Sequence, residues 1–347
     1  MKYLHVIVFL FLFGACSKPQ YKVVPVPGEI CSLLLDSVSV NNDVILNPTG
    51  IIATSDYLII SNLSRDTIFD VFDRYNMRHL YSDLVYGQGP NDMLPFRWIR
   101  PLNNNDFYIV GLGVPVLTEI ETGSNLNVRK REKIEWEKDI CQNIYPLSDN
   151  KLLIQPGKKY GEWVIYDTLT GEVVDVPEFP FKEFEKESDA FTMFQNRAVN
   201  VAVNADGNRV AFFNVMFPFV RYMDNAGNIL YEANVGEEIK DVSDYFYEKH
   251  MYYTGCVSVG DFIFAKYNSK RMDSDSTSFQ IWDWNGCLLG TFKVKSKINL
   301  FAVSPDARTL YAVKPDNDYV FLCNLDSVMN KIGNVSACHS ERSEKSR

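Results

Sequence analysis

The chain repeats one strand pattern six times, and that repeat sets what it can fold into. In each copy a short apolar strand is followed by a turn, a second strand, a connection, and a third strand that ends in a tight Asp/Asn/Gly turn. The second strand is one anchor of the repeat: Tyr57–Ile60, Asp106–Val110, Lys151–Ile154, Arg209–Phe213, Asp261–Ala265 and Thr309–Val313. The third strand with its turn is the other: IFDVFDRYN from Ile68, VLTEIETG from Val116, VIYDTLTG from Val164, VRYMDNAG from Val220, QIWDWNG from Gln280 and YVFLCNLD from Tyr319. Successive copies start roughly fifty residues apart, the length of one four-stranded propeller blade. The fold class that follows is all-β, a six-bladed β-propeller of four-stranded antiparallel blades. The pattern weakens after the third strand of blade six. The β-rich stretch Ile30–Val40 has no other place and is expected to close the ring there as the outer strand, because an unpaired edge would expose a ladder of donors and acceptors.

The first fifteen residues read as a lipoprotein signal peptide. Lys2 supplies the positive start, Val6–Phe13 an apolar run too short to span a bilayer, and Phe13-Gly14-Ala15-Cys16 a lipobox. An acylated Cys16 makes the lipid bilayer a partner that tethers the domain without being spanned. The expected address is the bacterial cell envelope, at the outer membrane. No acidic cluster follows Cys16 to decide between the periplasmic and the surface face. Residues 16–29 are expected to be a linker, 30–336 a single propeller, and 337–347, where Ser alternates with charge, a disordered tail.

A net charge of −9 with no basic block argues against nucleic acid as a partner. Six cysteines remain beside Cys16, with no C-x-x-C spacing among them, and no disulfide is expected.

In a propeller the first and third strands of a blade run opposite to the second and fourth, so the connections sort onto two faces. The first-to-second and third-to-fourth turns are all short. The second-to-third and blade-to-blade connections include nearly every long loop, among them 86–95, 178–197, 236–251 and 268–278. Long loops on a rigid scaffold are where binding resides. Residues at the starts of first strands and the ends of second strands should ring that face near the channel mouth: Arg97, Trp98, Arg197, Asn214, Tyr252, Tyr253, Tyr267 and Asn299. Two guanidiniums near aromatic planes suit a glycan, a uronic acid or a peptide carboxylate. An envelope protein docking on the same loops is the other expected partner.

Catalytic and cofactor signatures are weak. Gly87-Gln88-Gly89-Pro90 lacks phosphate-loop spacing and no helix pattern follows it. Met272–Thr277 alternates oxygen ligands but has Ser278 and Trp284 where a calcium loop needs Gly and Glu. His79, His250 and His339 are isolated in sequence, so no metal site and no cofactor are expected. No Gly-x-Ser-x-Gly elbow exists. Carboxylates brought together from different blades stay open as an alternative, an envelope glycan lyase or hydrolase on a propeller.

Gly87-Gln88-Gly89-Pro90, Ile281-Trp282-Asp283-Trp284-Asn285-Gly286 and Phe301-Ala302-Val303-Ser304-Pro305-Asp306 together resemble the TolB-like six-bladed propeller lipoproteins of Bacteroides-type bacteria. The resemblance spans most of residues 40–326 and includes the lipobox context. It implies the same fold and envelope address and carries no catalytic residues to transfer. Cys287 departs from the polar or Pro residue more usual after that turn.

Overall fold

The protein, seen in a computed structural model, is described at residues 21–38, 47–62, 66–89, 91–112, 114–136, 141–157, 162–180, 198–239, 250–268, 275–314 and 319–333. Cys16 with its signal, Arg197, residues 272–274 of the calcium-like loop, Pro90 and the 337–347 tail lie outside them.

Six sheets form, each running outward from an inner strand. From inner to outer, blade one is Pro48–Ala53, Tyr57–Asn62, Thr67–Asp73 and His79–Val85. Blade two is Phe96–Pro101, Asp106–Gly111, Val116–Thr122 and Leu126–Lys133. Blade three is Cys141–Pro146, Lys151–Pro156, Val164–Asp167 and Val173–Asp175. Blade four is Val199–Val203, Arg209–Asn214, Phe219–Asp224 and Ile229–Val235. Blade five is Tyr253–Val259, Phe262–Tyr267, Thr277–Asp283 and Leu288–Val294. Blade six supplies Leu300–Val303, Thr309–Val313 and Val320–Asn324 from its own repeat.

The second strands are continuously apolar because both of their faces are buried between blades. In blade one, Leu58 and Ile60 pack toward Tyr311 and Val313 of blade six, while Ile59 between them packs toward Phe107 and Ile109 of blade two. Tyr108 turns the other way, toward Ile144 and Ile154 of blade three. Further clusters join blades three, four and five, and blades five and six. The apolar packing therefore runs around the whole ring.

The missing outer strand of blade six comes from the N-terminal segment: Asp36–Val38 pairs antiparallel with Val320–Leu322. The segment does more than the sequence suggests. Glu29–Leu33, expected within the closing strand, instead lies parallel to Leu288–Val294 as a fifth strand of blade five. Lys22–Val24, expected in a linker, lies parallel to Ile229–Val235 as a fifth strand of blade four. One stretch of chain thus laces three consecutive blades along their outer edges. Side-chain contacts fasten it: Thr291 Oγ1 donates to Pro27 O at 3.2 Å, and Lys331 Nζ donates to Ile30 O at 2.8 Å.

Residues 326–333 form a short helix after blade six, which the repeat pattern does not announce. Its signal is local all the same: Leu325, Val328 and Ile332 recur at helical spacing, and all three are buried against blades five and six. Asn324 Oδ1 accepts the Asp326 N–H at 2.7 Å at its start.

The tight turns carry the repeat's acidic residues. Asp73, Asp167, Asp224 and Asp283 each end a third strand and accept two turn N–H groups, as Asp167 does from Leu169 and Thr170 at 2.9 Å. These bonds hold the Asp73 carboxyl below its ordinary range, with the Asn76 N–H contributing most. Turn glycines are fixed by contact as well as by φ. Gly207, at φ 68°, would put a Cβ 2.5 Å from Ser148 N of the neighbouring blade.

Removing residues 21–38 leaves blade six with an open edge and strips a strand from blades four and five. The shortened chain is expected to lose its single cooperative urea transition and to associate through the exposed edges, seen by circular dichroism and size-exclusion chromatography. Retention of one sharp transition at the parent midpoint would show that the N-terminal segment does not close the ring.

A candidate site in the central channel

The inner strands enclose a channel of about 570 Å³, within the range of small-ligand pockets. Its two mouths are built differently. On the short-turn side the turns are bonded from blade to blade. Ser55 N donates to Asn104 O at 2.6 Å and Ser148 N to Gly207 O at 2.9 Å. Arg209 Nη1 donates to Trp284 O at 2.7 Å, and Arg74 lies 3.8 Å from Asp306. Those polar groups are consumed in holding the ring.

At the long-loop side, four of the six inner strands begin with a β-bulge. The register breaks between Pro48 and Gly50, Phe96 and Ile99, Cys141 and Asn143, and Tyr253 and Gly255. Each bulge leaves residues without a ladder partner and bends the strand at the rim. Thr49, Trp98 and Thr254, all bulge residues, line the channel. Trp98 is 47 % exposed there.

Deeper in, the lining is cationic and amide-rich. Arg100 lies with its guanidinium 3.8 Å over the Tyr145 ring, and its Nη2 donates to Asn143 Oδ1 at 3.1 Å. Asn143 Nδ2 in turn donates to Gln155 Oε1 at 2.6 Å. From blade five, Lys266 reaches the same channel opposite Gly255, which has no side chain to cover it. Its Nζ donates to the carbonyls of Ile298 and Asn299 at 3.2 and 2.9 Å. Burial pushes the Lys266 ammonium down to about 8. Burial pushes the neighbouring Cys256 thiol up to about 12, with the Arg100 charge pulling the other way, so it stays protonated at neutral pH. Of the described residues lining the channel, Asp206 is the only carboxylate, and it sits in a short turn at the other mouth.

The eight residues read from the sequence separate into groups. Trp98 and the exposed Asn299 line the channel, and Arg97 shares the bulge with Trp98. Arg197 lies outside the described residues. Asn214, Tyr252, Tyr253 and Tyr267 are instead buried in the wall between blades four and five. Asn214 Oδ1 accepts the Met216 and Phe217 N–H groups at 2.9 Å, folding the turn after its strand. Tyr253 donates its hydroxyl to Gln280 Oε1 at 2.8 Å, and burial raises the Tyr267 hydroxyl to about 12. The end of a second strand turns inward wherever the next blade covers it, which a single strand's pattern does not reveal. Arg100, Asn143 and Lys266 were missed because their strands read as ordinary blade strands. The one available signal was the charge of Lys266 inside an otherwise apolar and aromatic strand.

Structure also assembles a Ser/His/Asp cluster that the sequence does not suggest. On blade one, Ser82 Oγ donates to the buried Asp70 Oδ1 at 2.6 Å, and His79 Nε2 lies 3.2 Å from Ser82 Oγ and 3.3 Å from Asp70 Oδ1. Nucleophile activation needs the serine proton to pass to one imidazole nitrogen while the carboxylate holds the other. Here one nitrogen faces both partners, and the serine proton is committed to the carboxylate. The cluster ties the outer strands of blade one together. Among the described residues no group of three or more His, Cys, Asp or Glu is placed to hold a metal ion.

Fold and channel define a six-bladed β-propeller. Comparison with solved structures finds the same architecture in a member of the DUF4221 family from Bacteroides vulgatus, 12% identical, covering 89% of this chain and 98% of that one at a TM-score of 0.57. The β-propeller domain of Myceliophteria thermophila Cps50 (Swd1) aligns at 11% identity over 83% of this chain and 98% of that one, at a TM-score of 0.49. No family model matches the chain, and no curated protein matches it.

A protonated Lys266 is disfavoured in the folded state, so unfolding takes up a proton between about pH 8 and the ordinary lysine range. Stability therefore rises with pH across that window through this residue. Lys266→Met is expected to remove the rise and to gain no more than about 3 kcal/mol at pH 7, read from urea midpoints at pH 7 and pH 10. An identical pH profile in the two proteins would show that Lys266 is not desolvated.

Proposed function

We propose that the protein is a lipid-anchored propeller of a bacterial cell envelope, TolB-like in kind, that binds a ligand in the channel from its long-loop side. The observation that carries this reading is the difference between the two mouths. One is fastened from blade to blade through Ser55, Ser148, Arg209 and Arg74, while the other, with Trp98, Thr49, Thr254 and Asn299 at its rim and Lys266 within, opens onto a cavity of ligand size. A glycan hydrolase on this scaffold would need two carboxylates flanking a bond, and the described channel residues supply Asp206 alone. Binding is the reading the lining favours.

The lipobox at Cys16 supports the envelope address. Cys16 stands six residues before Lys22 on the outer edge of blade four, so an acyl anchor there would hold that edge within about 20 Å of the bilayer. Cys16→Ser is expected to move the protein from the membrane to the soluble fraction and to abolish incorporation of labelled palmitate. Unchanged fractionation and labelling would remove the lipoprotein reading. The binding half is tested by thermal unfolding against neutral glycans, uronic acids and peptides. A ligand at about 100 times its Kd adds roughly 2.7 kcal/mol. Silence across the panel would shift the reading to a protein partner.

A further inference from the structure

This chain has more acid than base, 44 Asp and Glu against 35 Lys and Arg. Among the described residues the two arginines that are almost fully buried, Arg221 and Arg74, are matched with carboxylates. Arg221, 1 % exposed, donates Nε to Glu232 Oε1 at 2.6 Å and its remaining nitrogens to the carbonyls of Pro177 and Glu178. Arg74, 6 % exposed, lies beside Asp306. The two channel cations, Arg100 partly buried and Lys266 buried, are held by neutral groups instead. Arg100 has an amide and tyrosine rings around it, and Lys266, 8 % exposed, has two backbone carbonyls. Among the described residues neither has a carboxylate within ion-pair distance.

Placing a charge out of water without a counter-charge is costly, and the guanidinium cannot shed its proton to escape the cost. The two cations line one cavity, from blades two and five. Cys256 feels the Arg100 charge, and its chain neighbour Gly255 pairs with Lys266. Arg100 is also held: Tyr145 lies under its plane and Asn143, itself anchored on Gln155, takes one of its protons. A guanidinium fixed by neutral groups keeps donors to offer without rearranging, which is what an anion site requires. The amides and hydroxyls around the pair suit the polar remainder of a sugar acid or similar small molecule.

We propose that the channel is an anion site in which Arg100 and Lys266 together bind a small oxyanion, a carboxylate or a sulfate or phosphate group, carried by the ligand. This rests on the channel being the ligand site and names the chemistry that site selects. The shared requirement is a compact, negatively charged oxygen cluster that completes the missing counter-charge.

The test is titration of the purified full chain, followed by thermal unfolding and calorimetry, with glucuronate, inorganic sulfate and inorganic phosphate against neutral glucose at matched ionic strength. At least one anion is expected to stabilise the protein where glucose does not. Response to glucuronate alone assigns a carboxylate, and response to sulfate or phosphate alone assigns an ester group. Arg100→Gln and Lys266→Met are each expected to weaken that anion roughly tenfold, and the double variant to abolish the shift. Should Arg100→Gln fail to fold, Lys266→Met decides alone, since it removes an unfavourable buried charge. An anion response unchanged in the double variant overturns the proposal. So does stabilisation by a neutral sugar or a peptide with none by the three anions, an outcome that leaves the propeller a binding protein. Silence toward every ligand overturns both readings.

Discussion

Everything in this propeller depends on joining its two ends. Blade six has three strands of its own, and the fourth, Asp36–Val38, comes from the other end of the chain. That pairing is among the most non-local contacts of the described residues, together with the Lys331 bond to Ile30 O. Its loop-closure cost must be met before it returns any stability. The N-terminal segment meets it by binding three blades at once, as a fifth strand on blades four and five and the fourth on blade six. Gly290 leaves the space that Ile30 fills, and the helix at 326–333 packs over the junction through Val328 and Ile332. Closure then lets every second strand bury both faces, and only a closed ring has a channel.

The two faces divide the work. Short turns are cheap to order and sit close to their neighbours, so they serve as blade-to-blade fastenings: Asn225 Nδ2, for example, reaches Ser148 Oγ at 2.7 Å and Asp149 Oδ2 at 2.8 Å in the next blade. The bulges of the inner strands lie at their opposite ends, where they release residues from the ladder, while the third-to-fourth strand pairs carry others beside the short turns.

Polar burial follows the same division. Between blades, buried polar groups are tied into local sets, such as Tyr253 and Trp282 converging on Gln280 Oε1 and Arg221 bridging Glu232 to the chain crossing from blade three. These sets specify how neighbouring blades dock. In the channel Arg100 and Lys266 have no carboxylate within ion-pair distance among the described residues, and burial lowers the affinity of Lys266 for its proton. Arg221 is paired with a carboxylate and Arg100 rests on neutral groups, and that contrast is what the proposed anion site is built on.

Blade number, strand limits and turn positions were legible in the sequence, because each is set by neighbours in the chain. Alternation buries Ile59 on one side and Ile60 on the other, and an Asp before the turn accepts the N–H groups just after it. The need for an N-terminal closing strand was legible too, from a blade one strand short. What tertiary structure alone decided was where that segment lay before reaching blade six, and which residues met in the channel. Trp98 and Asn299 stood where the repeat put them, whereas Asn214, Tyr252, Tyr253 and Tyr267 turned into the wall. Arg100, Asn143 and Lys266 come from blades two, three and five. Their meeting depends on ring radius, on the bulges that re-aim the rim, and on the bare Gly255 opposite Lys266. None of these is a property of one strand and its turn, so no local pattern encodes them.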